Sequence, residues 1–511
     1  MRQRDRLCKG NTMKWTHDLV VIGAGAAGLT AAGGAARFGL RVALIERGRM
    51  GGECLNSGCV PSKALLAAAR RAHLLRAGAA MGVTAADVAI DYAGVRAHVQ
   101  GAIAAIAPHD SVERFGAWGV EVLRGEARFT GRQEVTVGVR TLRAPRIVIA
   151  AGSRPAVPDI EGLDGLPFLT NETLFDLPVL PRHLIVLGAG AVGLEMAQAF
   201  RRLGAAVTVI EADEALARDD ADAAAVVLRQ LAAEGVEVRA GTRVVRAAAV
   251  PEGVRIETTP GEAVTGSHLL LAVGRRPSLG GLGLEAAGVA AGADGILVDR
   301  RRRTSNPAVS AIGDCRAGPR LTHAAGYEGT VAVMNIALGL PAAADFAALP
   351  AVMYTDPELA QLGMTERAAR ERHGRVRVDR VAFADNDRAV AENETAGFIK
   401  VIRARGRLVG VTAVGAGAGE LVLPWSLAMR GRASLWAVSG TVVAYPTRSE
   451  ASKAAAFAAY EGLIFGRAAR GWARALAAAR RRAAPIRPKD QASALPGPAP
   501  IPPAKLDPGH L

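Results

Sequence analysis

The chain carries one supersecondary pattern twice, and that duplication constrains its fold more than any other feature. Residues 18–22 read as a short apolar strand running into Gly23-Ala-Gly25-Ala-Ala-Gly28 and an alanine-rich helix. Residues 183–187 do the same into Gly188-Ala-Gly190-Ala-Val-Gly193. Each copy continues into a second strand ending in an acid, 41–46 with Glu46 and 206–211 with Glu211. The acid falls 18 residues after the last glycine both times. Later strands echo as well: 147–151 leads into Gly152-Ser-Arg-Pro155, and 268–273 into Gly274-Arg-Arg-Pro277. One such glycine string in an Ala/Gly-rich chain is weak evidence, but two at equal spacing inside strand–turn–helix–strand–acid are strong. The first glycine makes the tight turn, the second lets a pyrophosphate approach the backbone, and the third lets helix pack on strand. The helix N-terminus offers unpaired N–H groups and a positive dipole end, and the acid accepts from a ribose diol. The pattern implies two dinucleotides.

The copies differ in one respect. From first glycine to later-strand glycine is 129 residues in the first copy and 86 in the second, so the first carries about 43 extra. These begin with Gly51-Gly52-Glu53-Cys54-Leu55-Asn56-Ser57-Gly58-Cys59-Val60-Pro61-Ser62-Lys63 and an Ala/Leu-rich helix. Two cysteines five apart at a helix start suit a redox disulfide, because the helix N-terminus lowers a thiol pKa and the turn brings the sulfurs together. The alternative is a pair of small buried hydrophobes. The spacing does not fit a zinc knuckle and no second Cys pair completes one, so no metal site is expected. Lys63 stands out because the chain has 56 Arg and only 7 Lys. Glu195, two residues past the third glycine of the second copy, is a candidate partner, with a surface glutamate as the alternative.

A net charge of +15 suggests nucleic acid until it is located. Residues 1–14 hold +4 and residues 467–511 hold +7, leaving about +4 on the 452 residues between. The body is therefore not a nucleic-acid footprint. Residues 1–14 read as a disordered extension, with Met13 an alternative start. Residues 467–511 read as a basic helix around Trp472 and Leu476, then a disordered Pro/Ala-rich tail; a weak membrane-surface contact is one role for that helix. No apolar run reaches the ~18 residues a spanning helix needs. The four cysteines are too few for a secreted disulfide framework and no export signal is visible, so the expected location is the cytoplasm.

These residues together resemble the pyridine nucleotide–disulfide oxidoreductases, the flavoprotein group that contains dihydrolipoamide dehydrogenase, glutathione reductase and mercuric reductase. The similarity runs over about 15–464; its most specific string is 51–63. Supporting strings include Ala311-Ile-Gly-Asp314, Tyr354-Thr-Asp-Pro-Glu358 and Tyr445-Pro-Thr-Arg-Ser-Glu450. The resemblance implies an α/β fold with two Rossmann-like dinucleotide-binding domains and a C-terminal α+β dimerisation domain. The expected division is an FAD-binding domain at 15–160 and 277–345, an NAD(P)-binding domain at 161–276, and a dimerisation domain at 346–466 that holds a homodimer. FAD is implied on the first glycine string, with Glu46 at its adenosine ribose, Asp314 at its ribityl and phosphate region, and Lys63 beside the flavin. A nicotinamide nucleotide is implied on the second. The implied chemistry passes hydride from nicotinamide to flavin and electrons on to Cys54–Cys59, with Cys59 nearest the flavin and Cys54 the interchange thiol that attacks a small-molecule acceptor. Cys8 and Cys315 are read as incidental.

The sequence departs from that pattern in two places. Members that reduce lipoamide or glutathione place a His five residues before the Glu of a His-Pro-x-x-x-Glu string, a pair supplied by the other subunit to shuttle the thiol proton. Here Tyr445 stands before Glu450, and a phenol with pKa ~10 is poorly matched to base work that an imidazole at ~6.5 performs. Tyr445 and Tyr354 resemble the mercuric reductases, yet those end in a vicinal cysteine pair and this chain has no cysteine after Cys315. The reading is a mercuric-reductase-like flavoprotein whose acceptor is a disulfide, a thiol-bound metal or a quinone-like oxidant. The alternatives are a dihydrolipoamide dehydrogenase or a low-turnover redox sensor. Glu211 predicts NADH over NADPH, since a carboxylate accepts from a 2′-hydroxyl and repels a 2′-phosphate; the mercuric reductases, which often use NADPH, point the other way.

Overall fold

A computed structural model describes residues 14–85, 87–259 and 261–482. The expectations for the N-terminal extension through residue 13 and for the tail from 483 lie outside the described residues. The chain divides into two compact units, one ending at Phe457 and one beginning at Ala458.

Short runs such as LVVI and HLIVL have no polar face, and the fold buries them on both sides as the middle strands of parallel sheets. The first sheet runs Val309–Ala311, Arg146–Ile149, Leu19–Ile22, Val42–Glu46, Val120–Arg124, all parallel. The second runs Glu237–Arg239, Ala206–Ile210, His183–Leu187, His268–Leu271, again all parallel. The chain therefore completes the second sheet before returning to add Val309–Ala311 to the edge of the first. Each parallel sheet is accompanied by a three-stranded antiparallel meander, Ala127–Arg143 and Val244–Gly266 respectively, so the duplication extends beyond the motif strings. The extra residues of the first copy form helices Cys59–Ala77 and Tyr92–Ile106.

The echoing strings after the later strands pair with one another. Ser153–Pro155 and Arg275–Pro277 form an antiparallel ribbon with Arg154 opposite Arg276. The alanine-rich helix Ala26–Arg37 packs against the helix Thr322–Ile336, and small residues make the approach close. A Cβ on Gly329 would stand 2.7 Å from the Cβ of Thr30.

A five-stranded antiparallel sheet follows, ordered Pro350–Met353, Glu358–Gly363, Arg407–Gly415, Phe398–Ala404, Arg377–Ala382. Trp425 and Ala451, Ala455 and Ala456 are buried in its core. The second unit contains the end of the helix Ser449–Ile464 and the helix Arg467–Arg482, where the sequence placed a basic helix. Among the described residues no helix is long and apolar enough to cross a membrane.

Candidate active site

The two glycine strings adopt the same geometry. Gly23 has φ +104°, and a Cβ there would stand 2.3 Å from the Ala150 carbonyl oxygen; Gly188 has φ +107°, with Ala272 O at 2.5 Å. A Cβ on the third glycine, Gly28 or Gly193, would fall 1.8 or 2.0 Å from the carbonyl oxygen of the first. The second glycine is different. Gly25 has only Gly52 Cα at 4.0 Å and Gly190 has nothing within 4 Å, so each presents bare backbone at a helix N-terminus. That bare face is what a pyrophosphate needs, and the residues present fit a dinucleotide in both copies.

Glu46 and Glu211 are held alike. Glu46 accepts from Ala24 N at 2.6 Å and Gly48 N at 2.6 Å; Glu211 accepts from Ala189 N at 2.8 Å and Asp213 N at 3.2 Å. Each carboxylate thus stands against its own glycine turn. A cleft of about 530 Å³, counted out to open solvent, borders Gly23, Glu46, Arg47, Gly125 and Leu282. Gly152 and Gly274 both have positive φ, and their carbonyls accept from Ser278 N and Ala156 N.

Gly51 and Gly52 turn the chain into a one-turn helix carrying Cys54, and Gly58 turns it again into the helix that begins at Cys59. The cysteines are unbonded; Cys54 is half-buried and Cys59 exposed. Cys59 Sγ lies 3.1 Å from the Thr322 hydroxyl, at the start of the Thr322–Ile336 helix. A hydrogen bond from Cys54, reinforced by Thr322 and the Lys63 ammonium, lowers the Cys59 thiol to about 6, while the same bond pushes Cys54 well above the ordinary thiol range. A charged Cys59 beside a neutral Cys54 is the favoured state of the dithiol.

Lys63, one turn beyond Cys59, donates to Glu195 Oε2 at 2.7 Å and lies 4.5 Å from the centre of the Tyr354 ring. Glu195 is buried and takes a second bond from Tyr354 N at 2.9 Å. It is not a surface glutamate. Asp314 accepts from Ser153 Oγ at 2.8 Å, and Arg275 donates to the same Ser153 Oγ at 2.7 Å.

Several groups here escaped the sequence reading. The guanidinium of Arg275 grips both oxygens of Glu53, and Asn171 donates to Glu53 at 2.9 Å. Burial still pushes the Glu53 carboxyl up to about 7 against the Arg275 charge, with Asp314 and Cys59 adding to the rise. Glu53 was visible as an acid beside Cys54, but nothing local marks a partner 222 residues away. Thr322 carried no signal either. Cys315 is buried and donates toward the carbonyls of Ile312 and Ile149, and burial raises its thiol to about 12.

Tyr445 and Glu450 are not partnered with each other. The Tyr445 hydroxyl donates to Asp387 Oδ2 at 3.0 Å, which raises the phenol's pKa, and Glu450 accepts from Thr447 N at 3.2 Å. Tyr445 is 72% exposed. Among the described residues no group of three His, Cys, Asp or Glu side chains could hold a metal.

Comparison with known proteins agrees with this geometry. Residues 17–329 match the pyridine nucleotide-disulphide oxidoreductase family and residues 349–456 match its dimerisation domain. The chain is 39% identical over 472 residues to dihydrolipoyl dehydrogenase of Thermus scotoductus, covering 88% of this chain and 98% of that protein. It is 32% identical over 447 residues to mercuric reductase of Lysinibacillus sphaericus, covering 86% and 82%. Among solved structures, LpdA of Mycobacterium tuberculosis superposes with a TM-score of 0.80 at 29% identity, covering 86% of this chain and 99% of that one. A Cu(II) complex of RclA, a HOCl-induced flavoprotein disulfide reductase of Escherichia coli, gives 0.77 at 27%, covering 85% and 98%. The chain belongs to the pyridine nucleotide-disulphide oxidoreductases, a family of FAD- and NAD(P)-dependent flavoprotein oxidoreductases.

Proposed function

We propose that this protein oxidises NADH in preference to NADPH and delivers the electron pair, through the Cys54–Cys59 disulfide, to a disulfide or thiol-bound metal. The observation that carries the reading is the placement of the cysteine pair: Cys54 on a one-turn helix, Cys59 opening the next helix with its Sγ 3.1 Å from the Thr322 hydroxyl, and Lys63 one turn beyond. Bound FAD supplies the two-electron relay between nicotinamide and disulfide. Gly23, Gly25, Gly28, Glu46 and Asp314 would hold it, and Gly188, Gly190, Gly193 and Glu211 would hold the nicotinamide nucleotide. The position of Glu211 against the second glycine turn supports NADH.

Two-electron reduction opens the S–S bond and leaves Cys59 as thiolate. One proton is taken up on Cys54. To attack an acceptor Cys54 must then lose that proton, and the Asp387-bound phenol of Tyr445 is a poor base near neutral pH. That supports acceptors that take a sulfur without help from a basic partner, thiol-bound metals above all, and the Cu(II) complex of RclA supports including copper among them. The match to the dimerisation domain supports a homodimer. A dihydrolipoyl dehydrogenase reading has the 39% identity to the Thermus scotoductus protein in its favour and Tyr445 against it.

Steady-state NADH oxidation with lipoamide, glutathione disulfide, quinones, and Hg(II) and Cu(II) thiol complexes tests the proposal. At least one sulfur or metal acceptor should raise the rate about ten-fold or more, and Cys54→Ser should remove that gain. Turnover of every acceptor unaffected by Cys54→Ser and Cys59→Ser would refute it. Negligible turnover with all of them would make the protein a redox sensor.

A further inference from the structure

The helix Arg467–Arg482 takes no part in the site described above. It contains six arginines and no acid, and none of its residues is buried. At about 100° per residue, Arg467, Arg470, Arg474 and Arg481 fall within a narrow stripe, and Ala469, Trp472, Leu476 and Ala479 lie opposite. Trp472 is 72% exposed and Leu476 38%. Arg480 falls on the apolar side in the last turn, where a long side chain can bend its charge back to water.

We propose that this helix lies flat on an anionic lipid bilayer, with Trp472 and Leu476 inserted at the headgroup boundary and the arginine stripe on the phosphates. Charge complementarity selects that occupant. The excess positive charge of the chain is concentrated at its ends, with +7 on residues 467–511, and each arginine near an anionic surface strengthens partitioning about five-fold. The apolar side separates a bilayer from a nucleic acid: phosphates alone would use the arginines and leave Trp472 and Leu476 in water. A helical partner would need large apolar residues recurring along the whole seam, whereas this face has alanines and Arg480 apart from those two. Sixteen residues make a helix of about 24 Å, short of the ~30 Å hydrocarbon core and too charged to enter it. It lies on the membrane and does not span it.

The full-length, FAD-loaded protein is floated with phosphatidylcholine vesicles, with and without phosphatidylglycerol, at about 0.1 M salt. Binding should be at least about ten-fold tighter to the anionic vesicles and should fall steeply toward 1 M salt. Truncation after Gly466 should abolish it. Trp472→Ala with Leu476→Ala keeps every charge and should still weaken it about ten-fold. Arg470→Gln with Arg474→Gln and Arg481→Gln should weaken it further, with NADH oxidation in the absence of vesicles unchanged in all variants. Equal binding by the truncated and full-length proteins would overturn the proposal. So would wild-type binding by the Trp472/Leu476 variant, or tighter binding to duplex DNA than to anionic vesicles at the same salt.

Discussion

Lys63 and Glu195 are 132 residues apart in the chain, and in the fold the ammonium of one stands 2.7 Å from a carboxylate oxygen of the other. The pair ties the cysteine-bearing helix to the helix that opens on the second glycine string. Glu195 is buried, so removal of its cation leaves a carboxylate whose remaining bond among the described residues is from Tyr354 N–H. Lys63→Met should therefore destabilise the folded protein by about 1–3 kcal/mol, below the ~3–5 kcal/mol for breaking a fully buried pair because the lysine is partly exposed. Denaturant unfolding measures this. Unchanged stability would show that the pair is a surface contact.

Lys63 also helps hold the charge on Cys59, whose thiol is lowered to about 6 chiefly by the hydrogen bond from Cys54. In the reduced protein, alkylation of Cys59 by iodoacetamide should be fast above that pH and should fall as pH drops through it. Cys54→Ala deletes the donor and should move the midpoint upward, toward the ordinary thiol value of ~8.5. Peptide mass spectrometry across pH reads both. A wild-type midpoint near 8.5 would contradict the assignment.

Glu211 should govern the choice of nucleotide. Wild type should show a higher kcat/KM for NADH than for NADPH, and Glu211→Ala should narrow the ratio by about ten-fold, chiefly through the KM for NADPH. A preference for NADPH in the unmodified protein would reverse this account of the second glycine string.

Tyr445→His replaces a phenol with a base whose pKa lies near the operating pH. Lipoamide turnover should be poor in wild type and rise in the variant, with general base catalysis worth ~10²–10⁴ when well placed. The Asp387 carboxylate that now accepts from Tyr445 is available to orient the imidazole. Brisk lipoamide turnover by wild type would show that Tyr445 does not limit proton transfer.

What could be read from the sequence followed from how local the chemistry is. Gly23, Gly25 and Gly28 are dictated by one turn and the backbone it touches, so the motif foretold the bare face at Gly25. Lys63 was visible because lysine is rare in an arginine-rich chain, and Glu195 because it lies just beyond a motif. Glu53 and Arg275 were both within recognised strings, yet their pairing depends on how the two halves meet, as does the ribbon between Ser153–Pro155 and Arg275–Pro277. Thr322 is an ordinary threonine until a helix start is placed against Cys59. The Tyr445–Asp387 bond joins residues 58 apart and has no sequence pattern.

The central claim is that Cys54 and Cys59 receive the electron pair. The direct measurement is anaerobic addition of one equivalent of NADH per chain to the oxidised, FAD-loaded protein, with alkylation before and after and mass spectrometry of the peptide carrying both cysteines. The account predicts that neither cysteine is alkylated before NADH and both are alkylated after it. A bleached flavin with Cys54 and Cys59 still joined, or two cysteines already free in the oxidised protein, would contradict it.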